Sequence, residues 1–316
     1  DDTLMHIATA KALLQSNILN EMAREYILSM KDMNTKKVNR YVGERIERSI
    51  RTQYKIDKDW SKVDYNKIKK QKKIEWNTLE YSTNQGGSGG SMRAMCIGLA
   101  FYGKKNREKL IEIAIESGRI THNGTVGFLG ALTSALFTAY AIEEIPIYIW
   151  VKKLIKILTD ERIDRYLKKS RPDEYDFYKK DSKQFIDNWK KYIDLRFTGA
   201  NFKKKEWMKY PRERTKFYYE NFSYKKDNNP WPGKSGDDSV IIAYDCLLDC
   251  EGSWEKLIYY SMTHSGDSDT TGSIAGAWFG AFYGFKDVPK TMINNLEFKN
   301  ELIRLGKDLF KKYYKE

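Results

Sequence analysis

The sequence predicts an all-α protein, read as one compact domain over residues 1–316, and three observations predict it. Apolar residues recur at helical spacing along most of the chain. Convincing alternating strands are few. The 6 prolines fall mostly between helical segments. At 316 residues, with 41% hydrophobic and 14% aromatic content, the chain can bury a substantial core.

Taken in order, the first helix opens at Asp1-Asp2-Thr3 and carries apolar residues at Leu4, Met5, Ile7, Ala8 and Ala12. Its acidic start suits a helix N-terminus. Similar periodicity predicts helices over about 91–117, 126–142, 145–169, 180–195, 236–262, 271–284 and 297–313. Two loops interrupt the pattern. Gln85 to Ser91 is rich in Gly and Ser and runs directly into the helical stretch from Met92. Its glycines permit close backbone approach and the helix start offers free N–H groups, as a phosphate cradle needs. A flexible connection has the same composition, and neither GxGxxG nor the P-loop pattern is satisfied. The second loop, 228–236, contains Pro230, Trp231, Pro232 and Gly233; a plain turn would use the same residues.

The charge of +13 raises nucleic acid, anionic membrane or phosphate-bearing partners. The lysines are scattered, however, with short runs only at 67–73 and 203–205, which read as solvated surface. No nucleic-acid or membrane partner is therefore expected. Cys96, Cys246 and Cys250 make no disulfide framework and no CxxC pair. They are expected to be buried thiols in a reducing, cytoplasmic compartment. No apolar run is read as reaching the 18 or so residues of a membrane span. Because the first residue is Asp1, the domain is expected to be truncated at its N-terminus.

Ser265-Gly266-Asp267-Ser268-Asp269-Thr270-Thr271 is the richest chemical motif. It places two carboxylates and several hydroxyls at the start of a helix, and oxygen-only ligands suit Mg²⁺, Mn²⁺ or Ca²⁺ rather than zinc. An ordinary acidic helix cap uses the same residue types. Gly272, Gly276, Gly280 and Gly284 then follow at intervals of four. Each costs about 1 kcal/mol against alanine inside a helix, so the ridge is expected to be compensated by close packing in the core. His6 is expected to pack on the first helix, and His264 to support the acidic motif from behind.

In this order and separation, Asp1-Asp2-Thr3, Gly86-Gly87-Ser88-Gly89-Gly90-Ser91-Met92-Arg93, Thr121-His122 and Gly266-Asp267-Ser268-Asp269-Thr270 resemble the ADP-ribosylglycohydrolase family. The stretches 1–10, 92–99, 135–140 and 242–245 bring the resemblance nearest to the ADP-ribosylarginine hydrolases, over nearly the whole chain. It implies an orthogonal helical domain, monomeric, with two Mg²⁺ ions. The implied reaction cleaves the N-glycosidic bond between ADP-ribose and a protein arginine.

Residue by residue, the resemblance implies Asp1, Asp2, Asp267, Asp269 and Thr270 as metal ligands. Asp2 and Asp269 are the implied catalytic carboxylates. Gly86, Gly87, Ser88, Gly89, Ser91, His122, Trp231, Ser235 and Gly236 are implied ADP-ribose contacts. Two positions depart from the family pattern: Asn123-Gly124-Thr125 follows His122, and Asp237 stands where the arginine hydrolases have His. Besides a basic nucleic-acid-binding module, supported only by net charge, three alternatives remain open at this level. One is a serine-linked or other O-linked ADP-ribose hydrolase. A second is an inactive ADP-ribose-binding relative. The third is a phosphatase whose DxD nucleophile would follow a buried strand.

Overall fold

A computed structural model describes residues 1–33, 40, 42–56, 59–199, 201–206, 209–223 and 231–314. Among them are sixteen α-helices: α1 (Asp2–Leu13), α2 (Ile18–Met33), α3 (Glu44–Tyr54), α4 (Tyr65–Lys70), α5 (Met95–Ala100), α6 (Arg107–Arg119), α7 (Thr125–Ile142), α8 (Trp150–Thr159), α9 (Glu161–Ser170), α10 (Tyr175–Arg196), α11 (Pro211–Asn221), α12 (Asp238–Cys250), α13 (Trp254–Met262), α14 (Ser268–Tyr283), α15 (Lys290–Asn294) and α16 (Lys299–Tyr313). The only paired strands among these residues are β1 (Phe197–Thr198) and β2 (Lys203–Lys204), antiparallel with Phe197 opposite Lys204.

Helix α7 is the axis of the core. It packs against α5, α6, α10, α12 and α14, and nearly every one of its side chains is buried. With 18 residues it is long and apolar enough to cross a membrane, but 89% of it is buried inside the protein. This corrects the sequence reading that no apolar stretch reaches that length. A helix that is apolar all round belongs either in lipid or in a core, and here the surrounding helices, α8 among them, cover it. Gly98 on α5 permits the closest approach to α7, since a Cβ there would sit 2.2 Å from the Ala135 carbonyl oxygen. Phe137 forms an aromatic hub with Trp150, Trp189, Tyr244 and Trp278, with centroids 5.1 to 5.7 Å away.

Several predicted helices are divided. The 91–117 stretch breaks at residues 101–106. The 145–169 stretch breaks at Asp160, whose carboxylate accepts the Arg162 N–H and starts α9. The 236–262 stretch turns at Glu251 and Gly252, both at positive φ. Helices α2, α3, α4, α11 and α15 lie outside the predicted segments.

The glycine ridge is also corrected. Helix α14 buries Ile274, Ala275, Trp278 and Phe279, so its core stripe is a different one. A Cβ on Gly272 would meet Met262 at 2.7 Å, but at Gly276, Gly280 or Gly284 it would meet nothing within 4 Å. Spacing by four puts the glycines on one face without saying which way that face points. Gly284 ends the helix at φ +65°.

Beneath α12 lies a buried charge network. Asp245 accepts hydrogen bonds from Arg196 (2.6 Å), Arg214 (2.8 Å), Tyr192 (2.8 Å) and Tyr218 (2.7 Å). Asp249 pairs with the same two arginines. Cys96, Cys246 and Cys250 are buried free thiols, as expected.

Candidate active site

The N-termini of α1 and α14 meet. Asp1 caps α1 and Asp2 opens it; Asp267 caps α14, and Ser268, Asp269 and Thr270 form its first turn. Across the junction, Thr270 Oγ1 donates to Asp2 Oδ1 at 2.9 Å, joining residues 268 positions apart. Two helix N-termini thus direct their positive ends toward one group of acids. Asp1 Oδ2 is held from the other side by the Gly43 N–H at 2.9 Å, just before α3.

The acids are closer than their charges favour. Burial raises the Asp2 carboxyl above its usual range, against the Thr270 hydrogen bond, and neighbouring Asp269 raises it further. Asp267 is pushed up to about 8, by burial first and then by Asp269 and Asp2. Burial also opposes the Asp269 charge, but hydrogen bonds from Asp267 and from the Asp269 and Thr270 backbone hold it below the usual range. The two carboxyls shift in opposite directions because burial and mutual repulsion make it costly for both to carry charge at this separation. Among the described residues no three acidic, His or Cys side chains converge as a ready-made metal cage. The approach is pairwise, Asp2 with Thr270 and Asp267 with Asp269. An all-oxygen donor set of carboxylates and a hydroxyl, with like charges held close together, fits a hard divalent cation in chemistry.

The glycine loop also meets α3, where a Cβ on Gly89 would lie 3.1 Å from Ile46 Cδ1. Gly87 to Ser91 are buried and Gly86 is half-buried. The loop leads into a single 3-10 turn at Ser91–Arg93, not directly into a longer helix as expected. Ser91 faces the interior, its hydroxyl donating to Ser88 O at 2.7 Å and lying 2.9 Å from Ser239 Oγ.

His122 sits beneath the loop. It is 2% exposed, and a Cβ on Gly89 would lie 2.4 Å from its Cε1. Nδ1 is 2.9 Å from Thr121 Oγ1. Burial, with Arg93 and Arg45 adding to it, drives the ring well below the ordinary histidine range, so it is neutral. The structure therefore places His122 as a floor for Gly87 and Gly89. After it, Asn123 is locked by Arg119, Glu174 and the Leu79 carbonyl.

Residues 231–236 strap these two loops together. Pro232 O accepts the Asp267 N–H at 2.7 Å, Lys234 O accepts the Ser88 N–H at 3.0 Å, and the Gly236 N–H donates to Gly86 O at 2.8 Å. Ser235 Oγ donates to Asp237, whose other oxygen accepts from Asn188 at 2.6 Å. Asp237, at the position that departs from the family pattern, is thus committed to capping α12 and holding the strap. Trp231 stands 47% exposed at the strap's start. Asn228, Asn229 and Pro230 of the same predicted loop lie outside the described residues.

All the sequence-derived site residues fall on these three loops, on His122 beneath them, or on the α1 start. Sequence reasoning missed Arg45, whose Cδ lies 3.7 Å from the Cβ position of Gly87 and whose guanidinium bonds Asn84 O. It also missed the backbone role of Pro232 and Lys234. Only the Pro-Gly turn signal at 232–233 pointed to the latter. The phosphatase alternative fails here, because Asp267 follows helix α13 and not a strand.

The family model described as ADP-ribosylglycohydrolase matches residues 1–316. The chain belongs to the ADP-ribosylglycohydrolase family. ADP-ribosylhydrolase ARH1 of Dictyostelium discoideum is 38% identical over 328 residues, covering 98% of this chain and 79% of that protein. The L444 protein of Acanthamoeba polyphaga mimivirus is 43% identical over 235 residues, which are 73% of this chain but only 45% of that protein. ADP-ribosylhydrolase ARH3 of Homo sapiens is 24% identical over 240 residues, 72% of this chain and 59% of that protein. A solved structure titled ADP-ribosylglycohydrolase-related protein complex shares the fold, with a TM-score of 0.56 at 15% identity over 98% of this chain and 80% of that one.

Proposed function

We propose that the protein is a magnesium-dependent hydrolase that removes ADP-ribose from modified protein arginine. The observation that supports it most is the Thr270–Asp2 contact, which joins the acidic starts of two helices distant in sequence. Family membership and the similarity to ADP-ribosylhydrolase ARH1 support ADP-ribose as the group released; the arginine linkage rests on the motif resemblance.

Asp1, Asp2, Asp267, Asp269 and Thr270 would hold two Mg²⁺ ions. Bound there, the ions would orient ribose hydroxyls, offset charge at the anomeric carbon and acidify a water molecule. The remaining work belongs to the chain. The Gly86–Ser91 loop, backed by His122 and fastened by Ser235 and Gly236, receives ADP-ribose, with Trp231 at its rim. Asp2 or Asp269 takes a proton from the attacking water. Hydrolysis breaks the C–N bond, water oxygen joins the anomeric carbon, and the guanidine leaves with a proton.

The test is hydrolysis of ADP-ribosyl-arginine and ADP-ribosyl-serine by the purified protein, with and without Mg²⁺. Magnesium-dependent release from arginine is expected. Release from neither linkage refutes the enzyme and leaves an ADP-ribose-binding protein; preferential release from serine overturns the arginine assignment alone. Asp267→Ala and Asp269→Ala should each lose turnover while retaining helical circular dichroism, and wild-type turnover in both refutes the site.

A further inference from the structure

His264 stands three residues before Asp267, 4% exposed, and both ring nitrogens are used. The Gly266 N–H points to Nδ1 at 3.1 Å, so Nδ1 is the acceptor. Nε2 must then carry the ring proton, which it donates to Thr271 Oγ1 at 2.8 Å. The Thr271 hydroxyl passes its own proton on to a carbonyl, with Ser261 O at 2.9 Å and Asp267 O at 3.2 Å. One imidazole therefore bridges the residue before Asp267 to the first turn of α14, enclosing the four residues 267–270 that carry both carboxylates.

The far side of the ring rests on the buried charge network. Tyr218 meets His264 edge-on, with centroids 5.9 Å apart and planes at 81°. Tyr218 is itself fixed by its bond to Asp245, which Arg196 and Arg214 hold. Such a network carries a large desolvation penalty. A rigid base under a precisely aimed loop gives it a use.

We infer that His264 is a positioning residue, which with Thr271 clamps the Gly266–Thr270 turn onto the Tyr218–Asp245 base and so sets the affinity of the acids for divalent cation. The inference rests on the magnesium reading above. Neither residue touches substrate; both act through Asp267, Asp269 and Thr270.

The test uses Mg²⁺ alone, titrated calorimetrically into metal-free protein, alongside the thermal midpoint in EDTA. His264→Phe keeps a ring against Tyr218 but removes both nitrogens, and should weaken Mg²⁺ binding by about 10–100-fold. Thr271→Val, close to isosteric, should weaken it in the same direction and serves if His264→Phe does not fold. The double variant should be no weaker than His264→Phe, because both single changes cut one chain of bonds. His264→Asn, which can still accept from the Gly266 N–H, should retain more affinity than His264→Phe. Wild-type Mg²⁺ affinity in the folded variants overturns the inference, even if their thermal midpoints fall, since His264 is then packing alone. If the wild-type protein takes up no Mg²⁺, the magnesium reading fails and carries this inference with it.

Discussion

Adding one methyl group at Gly236 should loosen the site and the fold together, whereas the same change at Gly276 should stabilise the protein. A Cβ on Gly236 would lie 2.2 Å from Val126 O and 2.9 Å from Gly127 Cα. The backbone at 236 also donates to Gly86 O, so the strap is fixed on both sides by main chain, which cannot rotate away. Restoring ordinary contact requires a shift of about 1 Å. Overpacking of this kind costs about 1–3 kcal/mol, and rigid neighbours place Gly236→Ala at the upper end. At about 2–4 °C per kcal/mol for a domain of this size, the thermal midpoint should fall by about 6 °C or more. Because the strap bonds Asp267 at one end and the glycine loop at the other, a 1 Å displacement should reduce turnover on the order of 100-fold. At Gly276, where an added Cβ meets nothing within 4 Å, alanine removes a helix-interior glycine and should raise stability by about 1 kcal/mol. Differential scanning calorimetry and single-turnover hydrolysis measure both. A Gly236→Ala protein with wild-type midpoint and rate would refute the backbone-contact reasoning, and a destabilised Gly276→Ala would show that this face of α14 is covered after all.

Asp245→Asn should destabilise the protein by about 3 kcal/mol, read from urea midpoints, because it leaves Arg196 and Arg214 without one of their buried counter-charges; a change under 1 kcal/mol would refute that role. Partly buried His6 accepts the Cys96 N–H, and burial lowers its pKa from 6.5 to about 4. The unfolded chain therefore takes up the proton first, so this stability is complete above about pH 6.5 and is lost as pH falls toward 4. The loss amounts to about 3 kcal/mol at most. His6→Gln should flatten the midpoint-against-pH curve in that window, and an unchanged slope would count against it. Gly89→Ala forces His122 to move, since its Cβ would sit 2.4 Å from Cε1; ADP-ribose affinity should fall at least tenfold by calorimetry, and wild-type affinity would show that the ring is not a floor for the loop.

Much of the all-helical architecture was legible because helical periodicity is local, and α7 and α16 nearly match their predicted spans. Helices α3 and α11 were not, because their charged sequences bury few residues and owe their existence to what they pack against. His122 was expected beside the glycine loop from its place in a motif, but its burial against Gly87 and Gly89 is set by packing and not by local spacing. The glycines of α14 share a face by spacing alone, yet only the packing of the neighbouring helices decides that Gly272 is buried against Met262 of α13 while Gly276, Gly280 and Gly284 have nothing over them.

By itself the sequence determined the helical class and the chemistry of the site: acids at two helix starts, a glycine-rich loop and a His beside it. Those are properties of residue type and short-range spacing. Tertiary structure alone decided that Thr270 reaches Asp2, that the 231–236 strap joins the two loops, and that His264 clamps the acidic turn onto a buried ion network. Each of these is a contact between groups far apart in sequence or set by burial, and the packing of helices, not local spacing, closes such distances.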